Sequence, residues 1–227
     1  MKKSTVTLLV IAISLSACSS AHKGAPSGVG MFVGLVKEKI ALGRKKRQTP
    51  PAAPVLKRAA LAGIKSTLVL AHLEKNNAYG ALSLAASNGG YQSLVSADKR
   101  MLILKDGVLV ETRGLAGDLM ESDSAGLSAA LKHPRRAVSF SHMRRWLNGE
   151  NHKVTARYSC KVKLVGNETI GIVERKYPTR HVREICTDSA RTFQNDFWIS
   201  RRDGKIWQSR QWIGPVPGYI SLQVLVP

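Results

Sequence analysis

Three thiols are the most reactive side chains in this 227-residue chain, and they stand in different settings. Cys18 closes the run Leu15-Ser16-Ala17-Cys18, while Cys160 and Cys186 sit far downstream. A thiol serves as nucleophile, disulfide partner or metal ligand. No CxxC and no paired-histidine spacing accompanies either downstream cysteine, so no metal site is expected. The histidines are His22, His72, His133, His142, His152 and His181, and none belongs to an HExxH or an i, i+4 pair. The serines lack a GxSxG elbow, and no two carboxylates stand out as a glycosidase dyad. A hydrolase of glycan or acyl groups would need a nucleophile, a base and an orienting group in hydrogen-bond reach, which the linear order does not display. No enzyme and no cofactor is therefore expected. One further group could bind rather than react. Trp198, Trp207 and Trp212, with Gln208 and Arg210, have the chemistry of a sugar platform, since aromatic faces stack on sugar rings and Arg and Gln supply hydrogen bonds. Strand alternation would set Gln208, Arg210 and Trp212 on one face and Trp207 on the other. The plainer expectation is that these aromatics fill the core and Arg210 is a paired structural residue.

The first residues decide what Cys18 is for. Lys2 and Lys3 precede an apolar run, Val6 to Leu15, and small residues follow. That is the layout of a secretory signal peptide. The run is far short of the roughly 20 residues that span a bilayer as a helix. Leu-Ser-Ala-Cys resembles a bacterial lipobox, which implies cleavage after residue 17, a diacylglycerol thioether on Cys18 and acylation of its new amino group. More than one chain makes such anchoring stable. Ser19, rather than Asp, follows the cysteine, and by resemblance to sorted lipoproteins this implies the outer membrane. With Cys18 consumed, Cys160 and Cys186 remain in an oxidising compartment and are expected to pair rather than stay as two buried thiols. The loop they close would stabilise the fold by roughly 3–4 kcal/mol.

Charge narrows the partners. The chain carries 35 Lys and Arg against 15 Asp and Glu, a net +20. Two of those charges leave with Lys2 and Lys3, so +18 stays with the mature part. Such a field attracts anions. For an exported protein these are lipid phosphates, acidic polysaccharide or acidic protein faces, and nucleic acid is not expected. Arg44 to Arg47 is a four-residue basic run, followed by Pro50, Pro51 and Pro54. Like-charge repulsion and missing backbone donors mark residues 18–54 as a flexible tether. Within it, Phe32, Leu35, Val36 and Ile40 allow a short amphipathic helix over Met31 to Leu42. A second basic group comprises Lys132, His133, Arg135, Arg136, Arg144 and Arg145.

Residues 55–227 must supply the folded domain. After one or two helical turns over Leu56 to Ile64, the period changes to two. Ser66 to Leu73 and Tyr79 to Ala85 read as strands, with a turn at Asn88-Gly89-Gly90. Met101–Leu104 and Val108–Val110 flank Asp106-Gly107, a two-residue hairpin signal. Residues 115–150 break the pattern, and Leu115, Leu119, Leu127 and Leu131 suggest short helices stopped by Pro134. In Thr155–Leu164, Ala156, Tyr158, Cys160, Val162 and Leu164 alternate with Arg157, Ser159, Lys161 and Lys163, giving a half-buried strand with a basic outer face. Strands continue through Ile170–Tyr177, Val182–Cys186, Phe193–Ile199, Ile206–Ile213 and Tyr219–Val226, with Asp203-Gly204 as another turn. The expected class is mainly β: an antiparallel sandwich or a flattened or half barrel with a few short helices.

The C-terminal words Phe193, Asn195, Phe197-Trp198, Asp203-Gly204 and Trp207-Gln208-Ser209-Arg210-Gln211 resemble the YjbF/GfcB family of group 4 capsule polysaccharide lipoproteins. Leu102 to Met120 and Arg58 to Ile64 are similar to the family's central hairpin and its entry segment. The resemblance covers about Val55 to Pro227 plus the lipobox. It implies a lipid-anchored domain on the outer membrane, facing the periplasm. It also implies a non-catalytic role in exopolysaccharide or capsule secretion beside an outer-membrane β-barrel partner. The alternative is a periplasmic carrier or chaperone for an acyl or lipid-linked cargo, which would need an apolar pocket of several hundred Å³ open to solvent.

Overall fold

The computed structural model describes residues 52–133, 138–150 and 152–227. The signal segment, Cys18, most of the tether with its possible helix and basic run, Pro134, Arg135 and Arg136 lie outside the described residues. Strands β1 (Leu68–Leu73), β2 (Ala78–Asn88), β3 (Tyr91–Ser96), β4 (Met101–Lys105), β5 (Val108–Arg113) and β6 (Leu119–Ser122) come first. Helix α1 (Ala125–Lys132) follows. Then come β7 (Val138–Leu147), β8 (Lys153–Ile172), β9 (Arg175–Thr187), β10 (Thr192–Ser200), β11 (Ile206–Gly214) and β12 (Gly218–Val226).

All twelve strands form one antiparallel sheet in the order β5-β4-β3-β2-β1-β12-β11-β10-β9-β8-β7-β6. The first and last strands meet in its middle, where β1 pairs with β12. The two sheet edges, β5 and β6, are consecutive in the chain and curl towards each other. The Thr112 hydroxyl on β5 donates to Asp118 Oδ1 at 2.8 Å and accepts from the Leu119 amide of β6 at 2.9 Å. Across the interior, Gln211 of β11 accepts from the Leu109 amide of β5 at 2.8 Å, satisfying an edge-strand donor. The result is a nearly closed, flattened barrel, within the expected class. Closure matters because an open edge leaves unpaired backbone groups that template aggregation.

Period-two alternation fills the interior. Val69, Ala71, Leu82, Leu94, Leu102, Leu104, Leu109, Ile213, Ile220 and Leu222 form its largest cluster. Fully burying such side chains stabilises by about 1.5–3 kcal/mol each. Helix α1 presents Leu127, Ala130 and Leu131 to Val108, Val162, Val182 and Phe197. Outside the barrel, the tip of the long β8–β9 hairpin carries Ile170 and Ile172 onto Leu61, Leu68 and Leu225. Arg58 fastens this lap, donating to the carbonyls of Ile172 (3.0 Å), Val173 (2.9 Å) and Leu225 (2.8 Å).

Residues 115–150 correct the sequence reading. Only α1 is an α-helix among the described residues, and Leu119–Ser122 and Val138–Leu147 are strands. The cause is visible in β7. Its inward residues include His142 and Arg144, both buried, while Met143 faces the other way. Polar residues on the inner face erase the hydrophobic alternation that would have announced a strand.

Candidate functional site

Three features of the barrel could carry function: a polar spine inside it, a cleft at one mouth and a basic row on its outer face. The spine begins at the end of β6. Ser122 Oγ lies 2.7 Å from His142 Nε2 on β7, and His142 Nδ1 lies 2.9 Å from Glu184 Oε1 on β9. Asn195 of β10 donates from Nδ2 to Glu184 Oε2 at 2.6 Å and accepts from the Trp212 amide of β11 at 2.7 Å. Arg144 donates from Nε to Ser122 Oγ at 3.3 Å and from Nη1 to the Trp212 carbonyl. Its guanidinium lies 5.5 Å from the centre of the Phe193 ring and 5.6 Å from that of Trp212. One chain of hydrogen bonds thus links five strands.

With the ring proton on Nδ1, where a carboxylate accepts it, Nε2 of His142 accepts from the Ser122 hydroxyl. This is the nucleophile, base and orienter that the linear sequence did not reveal. Their surroundings differ from those of a working nucleophile. His142 and Glu184 are fully buried, and Ser122 is 6% exposed. None of the three borders the cleft. Arg144 holds the Ser122 oxygen, and burial pushes the guanidinium down to about 10 against the pull of the Glu184 charge. Burial likewise raises the neighbouring Tyr158 phenol. The set orders a buried polar core.

Cys160 and Cys186 face each other directly across β8 and β9 and form the expected disulfide. They lie beside the spine, and ligand atoms of His142, Cys160, Glu184 and Cys186 are all within 4.8 Å of one another.

The cleft, about 380 Å³, opens between the β2–β3, β4–β5 and β10–β11 turns. Val69, Leu104, Leu222 and Val224 make its floor, and Asp106, Asp203, Lys205, Trp207 and Gln208 border it. Burial lowers the Lys205 pKa, while the charge of Asp203 opposes the shift.

Of the five proposed contact residues, the structure gathers only Trp207 and Gln208 at this cleft. Trp207 packs on Tyr177 with ring centres 4.1 Å apart, and Gln208 accepts from Gln223 at 2.9 Å. Trp198 donates to Glu168 at 2.7 Å and stacks on His181 at 4.6 Å. Arg210 grips Glu74 through Nε (2.9 Å) and Nη2 (2.7 Å) and lies 3.6 Å from the Tyr219 ring centre. Trp212 is buried against Phe193, ring centres 4.4 Å apart. The register shift at Trp198/Ile199 breaks the simple alternation, so Trp198 and Trp207 join one cluster, whereas Trp212 packs in another with Trp146, Tyr158 and Phe193.

A third feature is electrostatic. On β8 the exposed Lys153, Arg157, Lys161 and Lys163 alternate with inward Tyr158, Cys160 and Val162. None of the four has an ion pair among the described residues, whereas Arg145 and Arg183 on the flanking strands are paired with Glu121 and Asp196. At about 3.4 Å per residue the row is roughly 34 Å long.

A flattened, nearly closed antiparallel barrel whose first and last strands pair in mid-sheet defines the structural class. The crystal structure of the hypothetical lipoprotein YmcC from Escherichia coli (K12) has this fold, with a TM-score of 0.68 at 20% identity over 90% of this chain and 98% of that one. Residues 36–225 match the family described as group 4 capsule polysaccharide lipoprotein gfcB, YjbF, and the chain belongs to that family. Two relatives from Escherichia coli (strain K12) are the uncharacterized lipoproteins GfcB, 28% identical over 53% of this chain and 58% of its own length, and YjbF, 30% identical over 58% and 62%. The chain thus spans about three fifths of the length of these curated relatives.

Proposed function

We propose that this protein is a lipid-anchored accessory factor of capsule or exopolysaccharide secretion, working by binding rather than by making or breaking bonds. Acylated Cys18 holds it to the outer membrane with the barrel facing the periplasm, beside an outer-membrane β-barrel of the same machinery. Membership of the capsule lipoprotein family supports the process. The observation that carries the mode of action is the unpaired row Lys153, Arg157, Lys161 and Lys163. A long line of free cations, with the hydroxyls of Thr155 and Ser159 between them, suits an extended polyanion such as an acidic polysaccharide. Enclosure of Ser122, His142 and Glu184 supports a role without catalysis.

The test uses full-length protein in detergent, titrated with a polyuronate and with neutral dextran. Binding to the polyuronate should weaken with salt. Reversing all four charges (K153E, R157E, K161E, K163E) should lower affinity by more than about tenfold, or ~1.4 kcal/mol. Equal affinity for dextran, or undiminished binding by the reversed protein, overturns the reading.

The apolar floor of the cleft favours a second reading, carriage of an acyl or lipid-linked group. Val69→Trp should then block uptake of a fluorescent fatty acid, and a wild-type protein that takes up none removes the idea.

A further inference from the structure

The cluster that joins the disulfide to the polar spine has a use that the oxidised protein does not display. We infer that Cys160, Cys186, His142 and Glu184 form a tetrahedral zinc site whenever the chain folds with its two thiols reduced. The inference does not depend on the polysaccharide reading.

Four residues of ligand type converge from three adjacent strands, and all four are buried. Zinc–ligand bonds of about 2.0–2.3 Å place tetrahedral donors roughly 3.3–3.8 Å apart. The present donor atoms already lie within 4.8 Å of one another, so small side-chain rotations bring them to that spacing once the sulfurs are free to part. The surroundings also suit a metal. A ligating histidine ordinarily gives its second nitrogen to a polar partner, and a ligating carboxylate is itself hydrogen-bonded. Both supports are in place: Asn195 at Glu184 Oε2 and, at His142 Nε2, Ser122, whose hydroxyl turns to accept from Nε2 when the ring proton moves there and frees Nδ1 for the metal.

Charge closes as well. Two thiolates, a carboxylate and a neutral imidazole around Zn²⁺ carry one net negative charge, and the buried Arg144 guanidinium beside Glu184 cancels it. In the oxidised state Glu184 and Arg144 cancel alone. The same buried pocket therefore accepts either form without a stranded charge, which burial would penalise heavily.

The chemistry balances. Two thiols and Zn²⁺ give two zinc-bound thiolates and two protons. In the competing reaction a disulfide-bearing oxidant takes two electrons and two protons from the same thiols, becomes a dithiol, and leaves the Cys160–Cys186 bond. Each product excludes the other, because zinc is held by anionic thiolates and the sulfurs of a disulfide are neutral, weak donors bonded to each other.

Full-length protein is unfolded in guanidinium with a phosphine reductant, then refolded without oxygen in the presence of Co²⁺ or Zn²⁺. One metal per chain by native mass spectrometry, with thiolate-to-cobalt charge transfer and the strong visible bands of tetrahedral cobalt, is expected. The oxidised protein should bind none at this cluster. C160S/C186S should abolish the thiolate band, H142Q and E184Q should weaken or reshape the cobalt spectrum, and Asn195→Ala should lower affinity by about 10–100-fold. Reduced protein that refolds, by circular dichroism, without taking up metal overturns the inference. So does failure to refold with zinc present, or a cobalt spectrum unchanged in both H142Q and E184Q.

Discussion

Arg144→Met tests whether the polar spine is an electrostatic unit or a row of independent hydrogen bonds. Arg144 is 1% exposed, and its folded-state pKa is pushed down to about 10, well below the ordinary arginine range, because burial disfavours the charge more than Glu184 favours it. A base with a depressed folded-state pKa destabilises the fold at every pH below that value. The penalty is relieved only as pH climbs from about 10 towards the ordinary arginine value, and on the way down it rebuilds over that same window and is complete by about pH 10. The guanidinium is therefore a net electrostatic burden, yet removing it alone strands the Glu184 carboxylate. Leaving a buried charge without its counter-charge in this way costs about 3–5 kcal/mol. At about 2–4 °C per kcal/mol for a domain of this size, melting should drop by roughly 6–20 °C. Glu184→Gln strands Arg144 instead and should cost a similar amount. In R144M/E184Q neither charge is left alone, so the two losses should fall short of adding by about 2–3 kcal/mol. Any conflict between the new amide and Asn195 is common to both proteins that carry E184Q and cancels in the cycle. Urea denaturation of the four proteins gives the coupling. A value below ~0.5 kcal/mol would mean that the charges do not sense each other, and the picture of one coupled core would be wrong.

Glu74 is held below its ordinary value: its partial burial would raise it, but hydrogen bonds from Arg210 and Ser221 and the Arg210 charge outweigh that. Its contribution is present above the usual carboxylate range and lost as pH falls through the folded-state value. With both side chains partly exposed it should amount to only about 1 kcal/mol, and Glu74→Gln should flatten that part of the acid-stability curve. Gly107 has φ +84°, and a Cβ there would come within 2.9 Å of Ile206, whereas Gly204 has φ +73° and open space. Gly107→Ala should therefore lose about 1–3 kcal/mol, with Gly204→Ala losing only the smaller backbone part of that, about 1 kcal/mol; equal losses would show that the hairpin yields to Ile206 freely. C160S/C186S in metal-free buffer should lose roughly 3.5 kcal/mol from the 26-residue separation of the bridged cysteines, read as a lower urea midpoint.

The limits of sequence reading follow from the same residues. Where the inner face is apolar, as in Val69 and Ala71 on β1 or Phe197 and Ile199 on β10, alternation announces both strand and orientation. Asp106-Gly107 and Asp203-Gly204 mark their turns because only a few residue types tolerate the positive φ required. Cysteine parity was enough for the disulfide. The spine was illegible for a physical reason: burying His142, Arg144, Glu184 and Asn195 is tolerable only when all are paired, and the partners lie on strands far apart in sequence. Ser122 and His142 are 20 positions apart, and His142 and Glu184 are 42. One partial signal existed, Glu184 and Asn195 standing in register with the inward Cys186 and Phe193, in a position that alternation assigns to the core.

That concealment bears on how the protein works. A barrel used only to hold a flat basic face towards a polymer has no need of buried charge, since apolar side chains of similar size would be as stable or more so. The spine instead fixes the registry of β6, β7, β9, β10 and β11 through partners that no slipped pairing can satisfy, because a one-residue shift turns every inward side chain outward. β8 lies between β7 and β9, so fixing those two strands also fixes which face Lys153, Arg157, Lys161 and Lys163 present. On this argument loosening the spine disturbs binding before it unfolds the protein. R144M/E184Q held well below its melting temperature should keep its circular dichroism yet bind polyuronate more weakly than wild type. Unaltered binding would assign the spine to stability alone.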